Sequence, residues 1–172
     1  MKAKLKMFQI TPLNKQHNRN QFDCGYSEIN TYLKQQANQS AKKSYTKTHV
    51  LVDDSTPDQI IGFYTLSSCF IKSELQELIN INAPYDLCGI NLARMGIDKK
   101  HQHQSNAQYL IIDAVEKTYQ VNKKMGVQGL FLDAKNDSLV KYYEKYGFEC
   151  IENTDRKMWL PIGVILELVE TT

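Results

Sequence analysis

One segment constrains this chain more than any other. Ala107, Leu110, Ile111, Ala114, Val115 and Thr118 recur at the spacing of a single helical face, and Ser105 with Gln108 has the S-x-x-Q form of a capping box. Just upstream, Ile90-Asn91-Leu92-Ala93-Arg94-Met95-Gly96-Ile97 reads as a strand. A strand that feeds a helix in this way belongs to a sheet covered by helices.

The rest of the chain extends that pattern. Lys4 to Ile10 alternates polar and apolar residues like an opening half-buried strand, and Ile29, Tyr32, Leu33 and Ala37 then repeat at helical spacing. Thr48–Val52 and Ile60–Leu66 are β-rich runs parted by the turn-forming cluster Asp53–Asp58, so they read as a hairpin. A short helix is expected over Glu74–Leu78 and a buried strand over Val127–Ala134. A helix from about Asp137 to Tyr146 should stop at Gly147. The tail, Met158–Leu166, reads as late strand material broken by Pro161. The fold class is therefore α/β in the broad sense: a mixed sheet flanked by helices.

Composition narrows what such a fold can be. At 172 residues and 42% hydrophobic, without a linker or repeat, the chain suits one domain over residues 1–172. No run approaches the roughly 20 apolar residues of a membrane span, and the basic start lacks the apolar stretch of a signal peptide, so a soluble, cytoplasmic protein is expected. Cys24, Cys69, Cys88 and Cys150 are scattered, with no metal-ligand spacing, and read as buried free thiols. Net charge is only +2, yet residues 1–50 hold nine Lys/Arg against two Asp/Glu and the remainder twelve against seventeen. The basic first third suits a phosphate-rich partner.

Two motifs carry a resemblance. Leu92 to Asp98, running through Gln102-His103-Gln104-Ser105-Asn106-Ala107 into a helix, and Asn136 followed by Tyr142-Tyr143, Tyr146 and Gly147-Phe148, together resemble the GNAT acetyltransferases. Phe22-Asp23-Cys24-Gly25 with Ile29-Asn30 and Tyr32-Leu33, together with Ile61–Ser67 and Val127–Lys135, is similar to the toxin branch of that family. The resemblance implies a mixed, mostly antiparallel sheet with a splayed central strand pair. It also implies acetyl-CoA as cofactor, aminoacyl-tRNA as substrate, a ribbon-helix-helix antitoxin and a homodimer.

It also implies roles for residues. Backbone N–H groups of Met95, Gly96 and Ile97 would face the acetyl thioester. The pyrophosphate would lie on Gln102, His103, Gln104, Ser105, Asn106, Ala107 and Gln108 at the helix start, with Lys99, Lys100 and His101 adding charge, and Asn136 would meet the pantetheine arm. Ser105 departs from the family turn, which has glycine there, and His103 occupies another position that is usually glycine in the toxin branch. Ser105 either caps the helix or bonds a phosphate oxygen, or its Cβ obstructs the turn. Tyr143 would be the general acid, with no pKa shift needed, while Tyr142 packs in the core. Lys42, Lys43 and Lys47, with Arg19, Lys34 and Arg94, would hold the tRNA. Acetylation of a small-molecule or protein amine is the alternative enzyme reading. A GNAT-like module with weakened or lost acetyl-CoA binding is the other.

Overall fold

The computed structural model describes residues 7–171, so Lys4–Lys6 of the expected opening strand lie outside the described residues. The strands are β1 (Phe8–Pro12), β2 (Lys47–Asp53), β3 (Gly62–Ile71), β4 (Leu87–Ile97), β5 (Gly129–Asp133), β6 (Glu149–Cys150) and β7 (Lys157–Pro161). They hydrogen-bond in the order β1-β2-β3-β4-β5-β7-β6. β1/β2, β2/β3, β5/β7 and β6/β7 are antiparallel, and β4/β5 is parallel. The parallel register pairs Ile90 with Leu130 and Asn91 with Phe131, and β4 runs on to Ile97.

The helices are α1 (Ser27–Thr31), α2 (Ala37–Lys42), α3 (Ser73–Leu78), α4 (Asn106–Asn122), α5 (Asp137–Glu144) and α6 (Ile162–Glu170). A π turn over Tyr32–Gln36 joins α1 to α2, closed by the Ala37 N–H on the Tyr32 carbonyl. The stripe expected from spacing survives that widening, since Ile29, Tyr32, Leu33 and Ala37 are all buried.

The described residues form two compact units. The first comprises the chain up to Leu66 with Arg94–Asp113, and the second Ser67–Ala93 with Ala114 onward. In the first, Phe22, Leu33, Val50 and Phe63 lead the core, with the Phe22 and Phe63 rings edge-on at 5.3 Å. Tyr64 on β3 donates a short hydrogen bond to the Asp113 carboxylate of α4, and burial together with that carboxylate pushes its phenol pKa far up. In the second unit Ile71, Ile79, Phe131 and Ile151 pack together, and Trp159 stacks on Phe131 at 5.5 Å.

Three expectations change. The tail is strand only to Pro161. From Ile162 it is helix, because Pro161 cannot donate to a ladder and stands at the helix start, and Ile162, Ile165, Leu166 and Val169 fall at helical spacing with Ile165 fully buried. The short strand β6 was not foreseen, since two residues carry no periodic signal. The cysteines are free, but only Cys24 is buried, and Cys150 is exposed.

Candidate active site

The end of β4 is fixed by its neighbours in the first unit. Gly96 permits a close approach: a Cβ there would stand 3.1 Å from Ile29 Cγ2 and 3.3 Å from the Cys24 side chain. Asp98 follows the strand and is buried. Its backbone N–H donates to the Ile61 carbonyl at 2.9 Å. Its carboxylate accepts the Lys100 N–H and the Asp23 N–H, each at 3.0 Å. The Lys99–His101 turn is thereby capped, and the Phe22–Gly25 segment is tied to it.

Asp23 works in the same network. Its carboxylate accepts the Gly25 N–H at 2.9 Å and the Asn30 amide at 2.8 Å, and it pairs with Lys99 at 2.9 Å. The Lys99 hydrogen bond, first among these, holds the Asp23 carboxyl far below the usual carboxylate range. Asn30 returns a bond by accepting the Cys24 N–H at 2.9 Å. The Asp23 and Asn30 positions of the toxin-like opening therefore brace a loop.

The proposed cofactor residues divide by where they point. Gln102 sends its amide inward to the carbonyls of Cys24 (3.0 Å) and Ile97 (2.9 Å). Asn106 is buried and donates to the His101 carbonyl at 2.8 Å, so both hold the loop's shape. His103, Gln104 and Ser105 are exposed, Ala107 and Gln108 half-buried, and Gln104 bonds the Lys100 carbonyl at 3.3 Å. His103 and Ser105 both take φ of 60°, the left-handed region that favours glycine. The loop thus adopts a glycine-type turn without glycine. That backbone also alters the expected capping box: Ser105 lacks the extended backbone of a capping residue, and the Gln108 N–H bonds its carbonyl at 3.3 Å.

Asn136 and Tyr143 belong to the second unit. Asn136 caps α5, its side-chain oxygen accepting the Leu139 N–H at 2.9 Å. Gly147, at φ 88°, ends the helical segment as expected. Tyr143 is only 7% exposed, edge-on to Phe148 at 5.6 Å, and burial pushes its phenol up to about 12. Tyr142, expected in the core, is half-buried, and its hydroxyl meets that of Tyr146 at 3.2 Å. The two neighbours exchange environments because adjacent helical positions point about 100° apart. A shift at Tyr143, thought unnecessary, is present.

The basic residues of the first unit also sort themselves. Lys42, Lys43 and Lys47 are exposed around the turn between α2 and β2. Arg94 is exposed on β4 and lies 5.1 Å over the Tyr32 ring, whose hydroxyl meets Thr46 Oγ1 of that turn at 2.9 Å. One side chain therefore bridges the lysine turn and the strand. Arg19 is committed elsewhere, donating to the Lys34 carbonyl at 3.2 Å and to the Asn38 amide oxygen at 3.0 and 3.2 Å. Arg19 is half-buried and braces the helix through these bonds.

A strand ending in a stiff left-handed loop at the start of a 17-residue helix suits a thioester carrier with a pyrophosphate. The acetyltransferase (GNAT) domain pattern matches residues 16–162, taking in the strand, the loop and Tyr143. The chain belongs to the GNAT acetyltransferase family. Among GNAT relatives, a probable toxin TacT of Sinorhizobium fredii is 25% identical over 171 residues, 93% of this chain and 94% of its own length. A tRNA-acetylating toxin of Mycobacterium tuberculosis is 24% identical over 135 residues, 78% of this chain and 79% of its own. Two solved structures share the fold. AtaT complexed with acetyl-methionyl-tRNAfMet has a TM-score of 0.80 at 20% identity, covering 96% of this chain and 98% of that one. A tyrosine-to-phenylalanine mutant of the AtaT toxin, bound to the C-terminus of the antitoxin AtaR and acetyl-CoA, has a TM-score of 0.80 at 21%, covering 94% and 98%.

The GNAT fold explains the arrangement without requiring every residue to touch a ligand. Asp98, Asp23 and Asn30 were not named as site residues by sequence reasoning. An aspartate between a strand and two lysines looks like any loop residue, and only its burial reveals that it holds the loop. Among the described residues no helix is long and apolar enough to cross a membrane.

Proposed function

We propose that this chain transfers the acetyl group of acetyl-CoA to the α-amino group of aminoacyl-tRNA and acts as a toxin by blocking translation. The observation that carries the reading is the loop between β4 and α4, with its left-handed His103 and Ser105 exposed at a helix N-terminus. The relative named for tRNA acetylation supports the same substrate. The loop fits the cofactor: its turn is open to solvent, the helix dipole favours anions, and Lys100 adds exposed charge. Lys99 adds less, because Asp23 already engages it. We place the whole chain in one GNAT domain, since the family pattern runs through both units.

Acetyl-CoA supplies the activated acetyl thioester when bound. The residues proposed to act on it have distinct tasks. Backbone N–H groups at Met95, Gly96 and Ile97 polarise the thioester carbonyl. His103, Gln104 and Ser105, with Ala107 and Gln108 of the first turn, receive the pyrophosphate, and Gln102 and Asn106 keep the turn in shape. Asn136 meets the pantetheine arm through the amide nitrogen that its capping bond leaves unused.

Tyr143 holds the proton for the leaving sulfur. At about 12 its hydroxyl stays protonated wherever the amine is free. A stand-alone transfer to a thiolate, whose thiol has a reference pKa near 8.5, runs uphill by roughly 5 kcal/mol. Even an unshifted phenol would face an uphill step. The proton therefore moves only as the amine sheds its own: the N–C bond forms, the C–S bond breaks, nitrogen loses one proton and sulfur gains one. An α-amino group titrates near 7.7–8.0, lower beside an ester, so much of the substrate is already neutral at about pH 7 and no protein base is required.

Lys42, Lys43, Lys47 and Arg94 hold the tRNA backbone. The same reading makes the protein a cytoplasmic homodimer paired with a ribbon-helix-helix antitoxin. The deciding experiment incubates the protein with labelled acetyl-CoA and charged tRNA. Acid-stable label on the esterified amino acid is expected; label confined to a free or protein amine, or no acetyl-CoA binding by calorimetry at millimolar concentration, would overturn the proposal.

A further inference from the structure

The turn between α2 and β2 carries more than lysines. Tyr45 is 67% exposed, and the Lys43 ammonium lies 5.8 Å from its ring centre. The backbone that presents it is fixed. Ser44 takes φ 58°, the Ser44 N–H bonds the Ala41 carbonyl at 3.1 Å, and the Tyr45 N–H bonds the Ser40 carbonyl at 2.9 Å. On the other side Thr46 is tied to the hydroxyl of buried Tyr32 at 2.9 Å. The ring is held into water between two anchored residues.

A lone aromatic ring flanked by cations suits nucleic acid better than an apolar protein face: ammonium groups meet phosphates, and the ring offers a π surface to a base. Its position narrows the choice. Tyr32 links the turn to Arg94, the residue before Met95 on β4. A substrate whose amine is acetylated at that strand places its esterified 3′ end there, and the nucleotides next to that end are unpaired. Their faces are open to stacking, whereas those of a paired stem are already stacked.

We propose that Tyr45 is a substrate-positioning residue that stacks on an unpaired base near the aminoacylated end, while Lys42, Lys43 and Lys47 hold the flanking phosphates. This rests on the aminoacyl-tRNA reading above. Stacking reads no base edge, so Tyr45 contributes to affinity and reach without choosing the amino acid or the tRNA.

The test compares wild type, Tyr45→Ala and Tyr45→Phe in the labelled acetyl-transfer assay, using one charged tRNA at two salt concentrations. Tyr45→Ala should raise KM for charged tRNA by about tenfold or more, with kcat and KM for acetyl-CoA within about twofold, and Tyr45→Phe should restore KM. The melting temperature of Tyr45→Ala should match wild type, because its turn bond is made by backbone. The KM penalty should persist at higher salt, unlike that of a lysine substitution. Wild-type KM in Tyr45→Ala, or an equal loss in Tyr45→Phe, overturns the stacking role while tRNA acetylation stands. A wild-type protein that labels no tRNA overturns the underlying reading instead.

Discussion

The two regions that hold the proposed catalytic residues are built by opposite means. In the first unit the loop after β4 is shaped by polar bonds: Asp98, Asp23, Asn30, Gln102 and Asn106 each satisfy backbone groups, and two residues accept left-handed backbone. In the second, Tyr143 is positioned by packing, its ring among Tyr142 and Phe148, and its burial raises the phenol pKa. Polar bracing sets where N–H groups point, which is what an anion or a carbonyl oxygen senses. Apolar packing sets a pKa. The contrast predicts that damage to the first region lowers stability and cofactor affinity together, whereas damage to Tyr143 lowers turnover alone.

Tyr143→Phe is the strongest probe of that separation. It keeps the ring packing and removes only the hydroxyl, so fold and acetyl-CoA affinity should persist while turnover falls at least tenfold, and about a hundredfold if the full general-acid contribution is lost. The wild-type pH profile supplies the sign. Activity should rise as the amine deprotonates and plateau near pH 8. Because burial raises the Tyr143 pKa to about 12, no alkaline fall is expected below roughly pH 11. An alkaline limb near 10 would place the proton on a solvent-exposed group and erase the contrast.

Asp98→Ala attacks the other side. It leaves the Lys100 and Asp23 N–H groups without their acceptor in a part-buried place, at a cost of about 2–3 kcal/mol for the two bonds together. A fall in melting temperature of about 5–10 °C, with weaker acetyl-CoA binding by calorimetry, is the expected result. Neighbouring Asp23 should show its effect in acid. Its carboxyl is held low in the folded state, so its contribution is complete above the ordinary value of 3.8 and is lost as pH falls below it. A melting temperature flat from pH 5 to about 2 would deny Asp23 that part.

Much of this was legible in the chain, for reasons that differ by residue. α4 announced itself because six apolar positions keep one period over three turns. The hairpin of β2 and β3 was marked by the Asp53–Asp58 turn cluster. The tail was misread because Ile162–Leu166 is a short apolar run, and such runs do not distinguish strand from buried helix until the cap and the buried face are known. Asp98 closes the quoted strand motif, but its bracing role was not legible, since it is made with the N–H of Asp23, seventy-five positions away. The order of Tyr142 and Tyr143 was half legible: the motif picked out Tyr143, but which neighbour lies inside depends on how α5 is rotated about its axis.

Replacing Lys42, Lys43 and Lys47 together by alanine tests the basic turn as a unit. Three lost phosphate contacts should flatten the dependence of log KM for charged tRNA on log salt by about two. At moderate salt KM should rise roughly tenfold, with the melting temperature unchanged, because all three side chains are exposed. Unchanged salt dependence would retire the idea that the basic first third holds the tRNA.

The smallest effect tests whether the stiff loop is a compromise. Ser105 at φ 60° carries a cost of about 1–2 kcal/mol that glycine escapes, and glycine in turn loses about 0.5–1 kcal/mol of unfolded-chain freedom. The balance favours Ser105→Gly by some tenths of a kcal/mol, a rise of about 1–2 °C in melting temperature. Acetyl-CoA affinity should move the other way, weakening about two- to fivefold, because an exposed hydroxyl that bonds a phosphate oxygen contributes about 0.5–1 kcal/mol. Opposite signs in the two measurements would mean that serine was kept for the ligand at the expense of the fold. If both rise, the Cβ is an obstruction in the turn, and the helix terminus binds the pyrophosphate without help from this side chain.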